Sequence, residues 1–337
     1  MNSDPNQTAG HLTEDEMVIL DAEVEEALNV WKLPDDESMR IWLGEHQPTR
    51  WSIWQKSAKS GHVGAQWLIG LCFSEGVGVK RDESKAVDWF RKAAQQGDVV
   101  AQFTLGLMYD EGRGVKQNDH DAHFWYRKAA EQGDAMAQSN LGLMYQEGRG
   151  IRRDDDEAVD CFRKAAEQGD VVAQFNLGLA YGEGRGVQRN DIEAVDWYRK
   201  AAEQGFPVAQ FNLAFMYQDG RGVKQDEKEA MIWYRKAAEQ NDSNAQCILG
   251  AMYAEGSGVA QDKCEAVIWF RKAAEQGNAE AQFNLGVMYA EGSGMAQDKS
   301  EAMIWFRKAA EQGDEDARFN LAVLLEERNV ARGIFKA

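Results

Sequence analysis

The chain has 337 residues, 44% of them hydrophobic, and a formal net charge of −18. That composition supports a sizeable core. The charge argues against nucleic acid, whose phosphates need clustered Lys and Arg, and against anionic membrane surfaces. No run of about 18 apolar residues is present to cross a bilayer, and residues 1–16 hold no apolar run that reads as a secretory signal.

The charge is uneven. Residues 1–50 hold twelve Asp or Glu against three Lys or Arg, a net of −9. Such a segment solvates and repels, or docks on a basic partner. Residues 1–12 read as a disordered N-terminus, and residues 13–61 as an acidic helical cap with a degenerate half repeat. Thr13 and Glu16 suggest a capping box. After it, Met17, Leu20, Val24, Leu28 and Trp31 make an apolar stripe at helical spacing. This helix either covers the first repeat or leaves as an amphipathic arm to bind a partner. Residues 51–61 fall in phase with the later second helices.

From residue 62 to 313 one phrase recurs seven times, and its Ala-Gln pair stands at Ala65, Ala101, Ala137, Ala173, Ala209, Ala245 and Ala281, a period of 36 residues. In the unit from Asp170 to Gly205, Ala173, Leu177, Ala180 and Tyr181 share one helical face. Asp170 precedes them as an N-cap; Asp98, Asp134, Asp242, Asn278 and Asp314 hold the same column, and Phe206 breaks it just before Pro207. Gly184 and Gly186 end the helix. A second helix opens at Asn190, with Glu193 completing a capping box. The prediction is all-α: helix, turn, helix, turn, each unit burying its apolar face against the next.

Two columns read as structural. Gly106, Gly142, Gly178 and their copies admit only small residues, which implies close helix approach. Trp197, Trp233, Trp269 and Trp305, with Trp89 and Trp125, read as the bulky counterpart on the second helix. Two other columns are candidates for a partner-binding groove. In Asn140, Asn176, Asn212 and Asn284, the amide either bonds a backbone group between units or grips an extended peptide. Phe103, Phe175, Phe211 and Phe283 either fill the core or serve as hot spots. The array also changes along its length. Asp88, Phe124, Asp160 and Asp196 give way to Ile232, Ile268 and Ile304, and Arg113, Arg149, Arg185 and Arg221 to Ser257 and Ser293. The isoleucines imply tighter packing or a self-association patch.

Nothing reads as a cofactor or metal site. His120 and His123 are three apart, but His123 stands where other copies have Val or Met. Gly112-Arg113-Gly114 recurs as a helix connector rather than a phosphate loop. Cys72, Cys161, Cys247 and Cys264 share no spacing, which points to a reducing, cytoplasmic compartment.

The motifs Ala-x-x-x-Leu-Gly-x-x-Tyr, Glu-Gly-x-Gly-Val and Ala-x-x-Trp-Tyr/Phe-Arg-Lys-Ala-Ala-Glu-Gln-Gly resemble a Sel1-like repeat array, a relative of the tetratricopeptide repeats. The resemblance implies an α/α solenoid with right-handed superhelical curvature, first helices concave and second helices convex. It further implies a non-enzymatic adaptor or scaffold for a protein or peptide, with a basic partner favoured by the charge. Some relatives are described as β-lactamases, but no Ser-x-x-Lys occurs here. Residues 314–337 form a terminal half repeat and tail, which leaves apolar surface for the tail to fold over or for another chain, a second copy included, to contact.

Overall fold

The computed structural model describes residues 12–31 and 36–331. The predicted N-terminal disorder, apart from residue 12, and the tail residues Arg332, Ile334, Phe335 and Lys336 lie outside them. Among the described residues there are seventeen helices and no strand, an α/α solenoid of tandem repeats. The chain divides into two compact units, Met1–Ala173 and Gln174–Ala337.

In the first unit α1 (Glu14–Trp31) and α2 (Asp36–Lys59) precede α3 (Val63–Glu75), α4 (Glu83–Gln95), α5 (Val99–Glu111), α6 (Asp119–Glu131), α7 (Ala135–Glu147) and α8 (Asp155–Glu167). α9 (Val171–Glu183) opens at its end. The second unit continues through α10 (Asp191–Glu203), α11 (Pro207–Asp219), α12 (Glu227–Glu239), α13 (Ser243–Glu255), α14 (Lys263–Glu275), α15 (Ala279–Glu291), α16 (Lys299–Glu311) and α17 (Glu315–Ala331). From α3 to α15 the odd-numbered helices are the first of each repeat, and the even-numbered ones the second.

The caps explain why every repeat helix has one length. Asp134 Oδ1 accepts from the Ala137 N–H at 2.7 Å to open α7. Asn190 Oδ1 accepts from Ile192 and Glu193 at 3.1 and 3.3 Å to open α10. Each bond satisfies an otherwise orphaned helix donor. Phe206 makes no side-chain cap, and Pro207 follows at the first helical position, where no N–H needs a partner. Gly112 ends α5 in the left-handed region at φ +73°, its N–H returning to Met108 O.

The interior is a stack of two repeated layers. In the first, each small-column glycine faces a ring. A Cβ on Gly106 would lie 2.6 Å from Tyr126, one on Gly142 2.6 Å from Phe162, and one on Gly178 2.7 Å from Tyr198. This corrects the expected pairing: the glycines are filled by the aromatic residue after the tryptophan column, not by the tryptophans. One residue along a helix is a turn of about 100°, so the tryptophans point elsewhere. Trp233, Trp269 and Trp305 are buried under Lys236, Lys272 and Lys308, whose Nζ atoms stand 3.7, 4.0 and 3.9 Å from the ring centroids. Trp197 is half-buried, with Lys200 Nζ at 3.5 Å.

The second layer is polar and is built on the recurring Ala-Gln pair. The glutamine of each Ala-Gln pair is buried. Gln138 Nε2 donates to Ala130 O at 3.2 Å, and its Oε1 accepts from Gln168 Nε2 at 2.8 Å. Gln210 repeats the pattern with Ala202 O and Gln240, and Gln282 with Ala274 O and Gln312. Each such side chain ties its own repeat to the helix before it, and an unpaired carbonyl there would cost about 1–3 kcal/mol.

At the N-terminal end, the capping box forms in both directions, Thr13 N–H to Glu16 Oε2 at 2.9 Å and Glu16 N–H to Thr13 Oγ1 at 3.2 Å. Leu20 and Ala27 of α1 are buried, Val24 and Leu28 half-buried, and Trp31 meets Trp67 edge-on at 5.9 Å. α2 runs from residue 36, well upstream of the half repeat read from residues 51–61. It carries the wholly buried Trp54, whose Nε1 donates to the buried Glu23 carboxylate at 3.0 Å, while Arg50 Nε ion-pairs with the same carboxylate at 2.6 Å. His62 replaces the usual Asp cap of α3: Nδ1 accepts from Ala65 N–H at 3.1 Å and Nε2–H donates to Asp21 Oδ1 at 3.0 Å, which ties α3 to α1. At the other end α17 has 17 residues against 13 for the preceding repeat helices. With no second helix after it among the described residues, Phe319 is 69% exposed.

Candidate binding surface

Once the glycine, aromatic and glutamine layers are buried, the first helices keep one accessible stripe. On α11 it consists of Val208, Asn212, Phe215 and Asp219, spaced four, three and four residues apart on one face. Val208 is 45% and Phe215 44% exposed. On α13 the corresponding residues are Asn244, Ile248, Ala251 and Glu255; on α15 they are Glu280, Asn284, Val287 and Glu291. Within the second unit the stripe therefore loses its exposed Val208 and Phe215, replaced by Asn244 and Ala251 on α13 and by Glu280 and Val287 on α15, while an acid ends it on all three helices. In the first unit α7 presents Met136, Asn140, Leu143 and Glu147.

The sequence candidates fall partly on this stripe. Phe103 does not: it is 5% exposed, packed on Tyr126 at 5.9 Å between ring centroids, and has no surface to offer a partner. Phe175, Phe211 and Phe283 are half-buried, with ring centroids 6.0, 5.4 and 5.8 Å from Tyr198, Tyr234 and Phe306. They lean on the same rings that fill the glycine column, leaving one edge outward. Asn140, Asn176, Asn212 and Asn284 are half-buried within the stripe. Asn140 and Asn212 stand beside the hydroxyls of Tyr126 and Tyr198, on the second helix of the preceding repeat. Asn284 stands beside the Cys247 thiol. Val208 and Phe215 escape the sequence reading because apolar residues in a repeating column read as core. The signal that finds them is helical phase relative to Leu213, which is fully buried.

The isoleucines of the second helices do not pack more tightly. Ile232, Ile268 and Ile304 are 47%, 47% and 45% exposed. The acids they replace make ion pairs with the arginine three residues on: Asp88 with Arg91 at 3.0 Å, Asp160 with Arg163 at 2.9 Å and Asp196 with Arg199 at 3.0 Å. The turn arginines pair with acids as well. Arg149 reaches Asp110 at 2.6 Å and Glu147 at 2.7 Å, and Arg185 reaches Glu183 at 2.6 Å. Where serine replaces them, Glu255 and Glu291 stand exposed without that neighbour.

The groups that could do chemistry are poorly placed for it. Cys72, Cys161 and Cys247 are buried free thiols, pushed up by burial to about 12, 11 and 12, so they stay protonated and unreactive. His123 is buried on the edge of Tyr145, at 5.7 Å between ring centroids; burial, then Arg127 and His120, hold its pKa below the usual histidine value. Among the described residues no His, Cys, Asp and Glu cluster could hold a metal ion, and no helix is long and apolar enough to cross a membrane.

Comparison with known proteins agrees with this architecture. The sequence profile of the Sel1 repeat matches seven consecutive segments, residues 63–98, 99–134, 135–170, 171–206, 207–242, 243–278 and 279–314. The crystal structure of a protective antigen present in uropathogenic Escherichia coli strains, which displays the SLR fold, is 36% identical. It superposes with a TM-score of 0.80 over 91% of this chain and 67% of that one. A Sel1 repeat protein from Oxalobacter formigenes is also 36% identical, with a TM-score of 0.68, over 96% of this chain and 97% of that one. No curated protein matches the chain. Seven in-register repeats, their shared interior layers and these two structures establish that the chain belongs to the Sel1 repeat family.

Proposed function

We propose that this chain is a protein-binding scaffold without catalytic activity, and that the first-helix stripe of its second unit holds a segment of a partner protein. The observation that carries this reading is the exposed pair Val208 and Phe215 on α11, flanked by Asn212. Apolar side chains held outward on one face of a helix can seat against an apolar segment of a partner. The acidic residues that continue the stripe, Glu255, Glu280 and Glu291, favour a partner segment with basic residues beyond its apolar anchor. The half-buried edges of Phe211 and Phe283 widen the apolar part. The hydrolase alternative gains no support, since the chain has no Ser-x-x-Lys and three of its four thiols are buried.

Affinity purification from the native cell, run in parallel with wild type and a Val208→Asp/Phe215→Asp variant, tests the reading. Both substitutions are on exposed sites, so the urea midpoint should stay close to wild type. The expected result is a partner recovered with wild type and lost with the variant. The same partner retained at equal yield by the folded variant would remove the stripe as the binding site.

A further inference from the structure

At the junctions between consecutive repeats inside each unit, the first residue of one second helix faces the turn of the following repeat. A Cβ on Gly222, the second glycine of such a turn, would lie 2.0 Å from Asp191 O, and one on Gly258 2.4 Å from Glu227 O. This contact holds the turn's arginine beside the helix's first residue. Arg221 Nη2 lies 2.8 Å from Asp191 Oδ1; Arg113 Nε lies 3.7 Å from Glu83 Oε1, and Arg149 Nη1 4.0 Å from Asp119 Oδ1.

Along the chain the residues that open the second helices are Glu83, Asp119, Asp155, Asp191 and Glu227, followed by Lys263 and Lys299. The matching turn residues are Arg113, Arg149, Arg185 and Arg221, followed by Ser257 and Ser293. Acid and arginine are both gone at Lys263 and Ser293. At one junction the two changes are out of step: Glu227 keeps its carboxylate while Ser257 has replaced the arginine. An open surface depression of about 700 Å³ lies at that junction, with the exposed Gln225, Asp226, Glu227 and Lys228 on one side and Gly256 and Gly258 on the other.

The groups around it leave Glu227 as the available acceptor. Asp226 Oδ1 is committed to the α12 cap, accepting from the N–H groups of Lys228 and Glu229 at 3.0 and 3.2 Å. Gln225 Nε2 donates to Gln218 O at 3.0 Å. Lys228 is the one cation in the lining, against two carboxylates. Among the described residues no cation makes an ion pair with Glu227.

We propose that this surface depression is a guanidinium site, in which Glu227 receives an arginine side chain from a partner protein as Asp191 receives Arg221 within the chain. A planar guanidinium fork matches a carboxylate in a way that an ammonium does not. The site stands on the mismatch at this one turn and does not rest on the first-helix reading.

The test uses the full chain and Nα-acetyl-arginine methylamide as the probe, followed by amide chemical shifts. The expected result is saturable shifts at Glu227, Lys228, Ser257 and Gly258 in the millimolar range. Glu227→Gln should weaken binding roughly tenfold, as loss of a charged hydrogen-bond acceptor does. Ser257→Arg, which restores the missing side chain, should abolish it while circular dichroism stays unchanged. Equal affinity in Glu227→Gln, equal shifts with the acetyl-lysine analogue, or no saturable shift in wild type would each overturn the proposal. None of those outcomes bears on partner capture by the α11 stripe.

Discussion

The second helices α10 and α14 have the same length and turn an aromatic ring onto the same glycine column, and differ on the outside. Tyr198 of α10 fills the space over Gly178, and Phe270 of α14 fills the space over Gly250. Outside, α10 is laced with charge: Asp191 pairs with Arg221 at 2.8 Å, and Asp196 with Arg199 at 3.0 Å. α14 begins with Lys263 and exposes Ile268. One contact survives the change, since Arg199 donates to the Tyr217 hydroxyl at 3.2 Å and Arg271 to that of Tyr289 at 2.9 Å. The pair of helices teaches that the interior layers build the repeat while its outer face is free to vary. Exposed ion pairs are worth about 0–1 kcal/mol, so dropping them for isoleucine costs the fold little and changes what the surface can meet.

The largest expected effect is an insult to the shared interior. Gly178→Val and Gly250→Val would each drive side-chain carbons into a ring already 2.7 or 2.8 Å from where a Cβ would sit. Each should lower stability by about 3 kcal/mol, the upper range for overpacking, as measured by urea unfolding. Equal losses would confirm a common interior. A loss at one site alone would break the comparison. Ala214 occupies this same column, so Gly→Ala should cost less than Gly→Val at either position.

The next effect tests an interior that departs from both. His123 of α6 stands where α10 has Val195 and α14 has Val267. Its Nε2 is buried without a hydrogen-bond partner, and burial depresses its pKa below the ordinary 6.5. The neutral ring is the folded form, so the unfolded chain takes up a proton first as the pH falls. Stability should therefore decline below pH 6.5 until the folded-state pKa is passed. His123→Val should gain about 1 kcal/mol at neutral pH by removing an unsatisfied polar atom, and should flatten the slope below pH 6.5. An unchanged slope in urea midpoints across that window would mean that other groups carry the acid sensitivity.

What the sequence disclosed follows the range of the forces involved. Caps such as Asp134 and Asn190 act within three residues of themselves, so spacing alone reveals them. The small column at Gly106 is equally plain, but its partner is not. Trp125 and Tyr126 are both aromatic and adjacent, and only the helix rotation decides which one faces the glycine. Gln138 and Gln168 are invisible as a bonded pair because they are 30 residues apart and every repeat carries both. The exposed stripe is obscured for a different reason. α11 is apolar on most of its circumference, so Val208 and Phe215 look no different from Leu213 until their burial is known. Asp134 and Asn190 read as caps and are caps; of the two readings open for Phe103, core or groove, the structure takes the core.

The smallest expected effect is also the sharpest test of the free outer face. Ile268→Asp would place on α14 the residue that α10 carries as Asp196, three positions before Arg271. The new carboxylate has the geometry of the Asp196–Arg199 pair, and Ile268 gives up little buried area because 47% of it is already exposed. The two terms oppose each other and both are small, so stability should stay within about 0.5 kcal/mol of wild type by urea unfolding. The readout that should change is association. Ile232, Ile268 and Ile304 recur at the repeat spacing and form the apolar part of this outer face. Replacing all three by Asp should lower any concentration-dependent mass seen by light scattering. A loss of more than about 2 kcal/mol from Ile268→Asp alone would instead mean that the isoleucine is a packing residue, since losses of that size come from buried contacts rather than exposed ones.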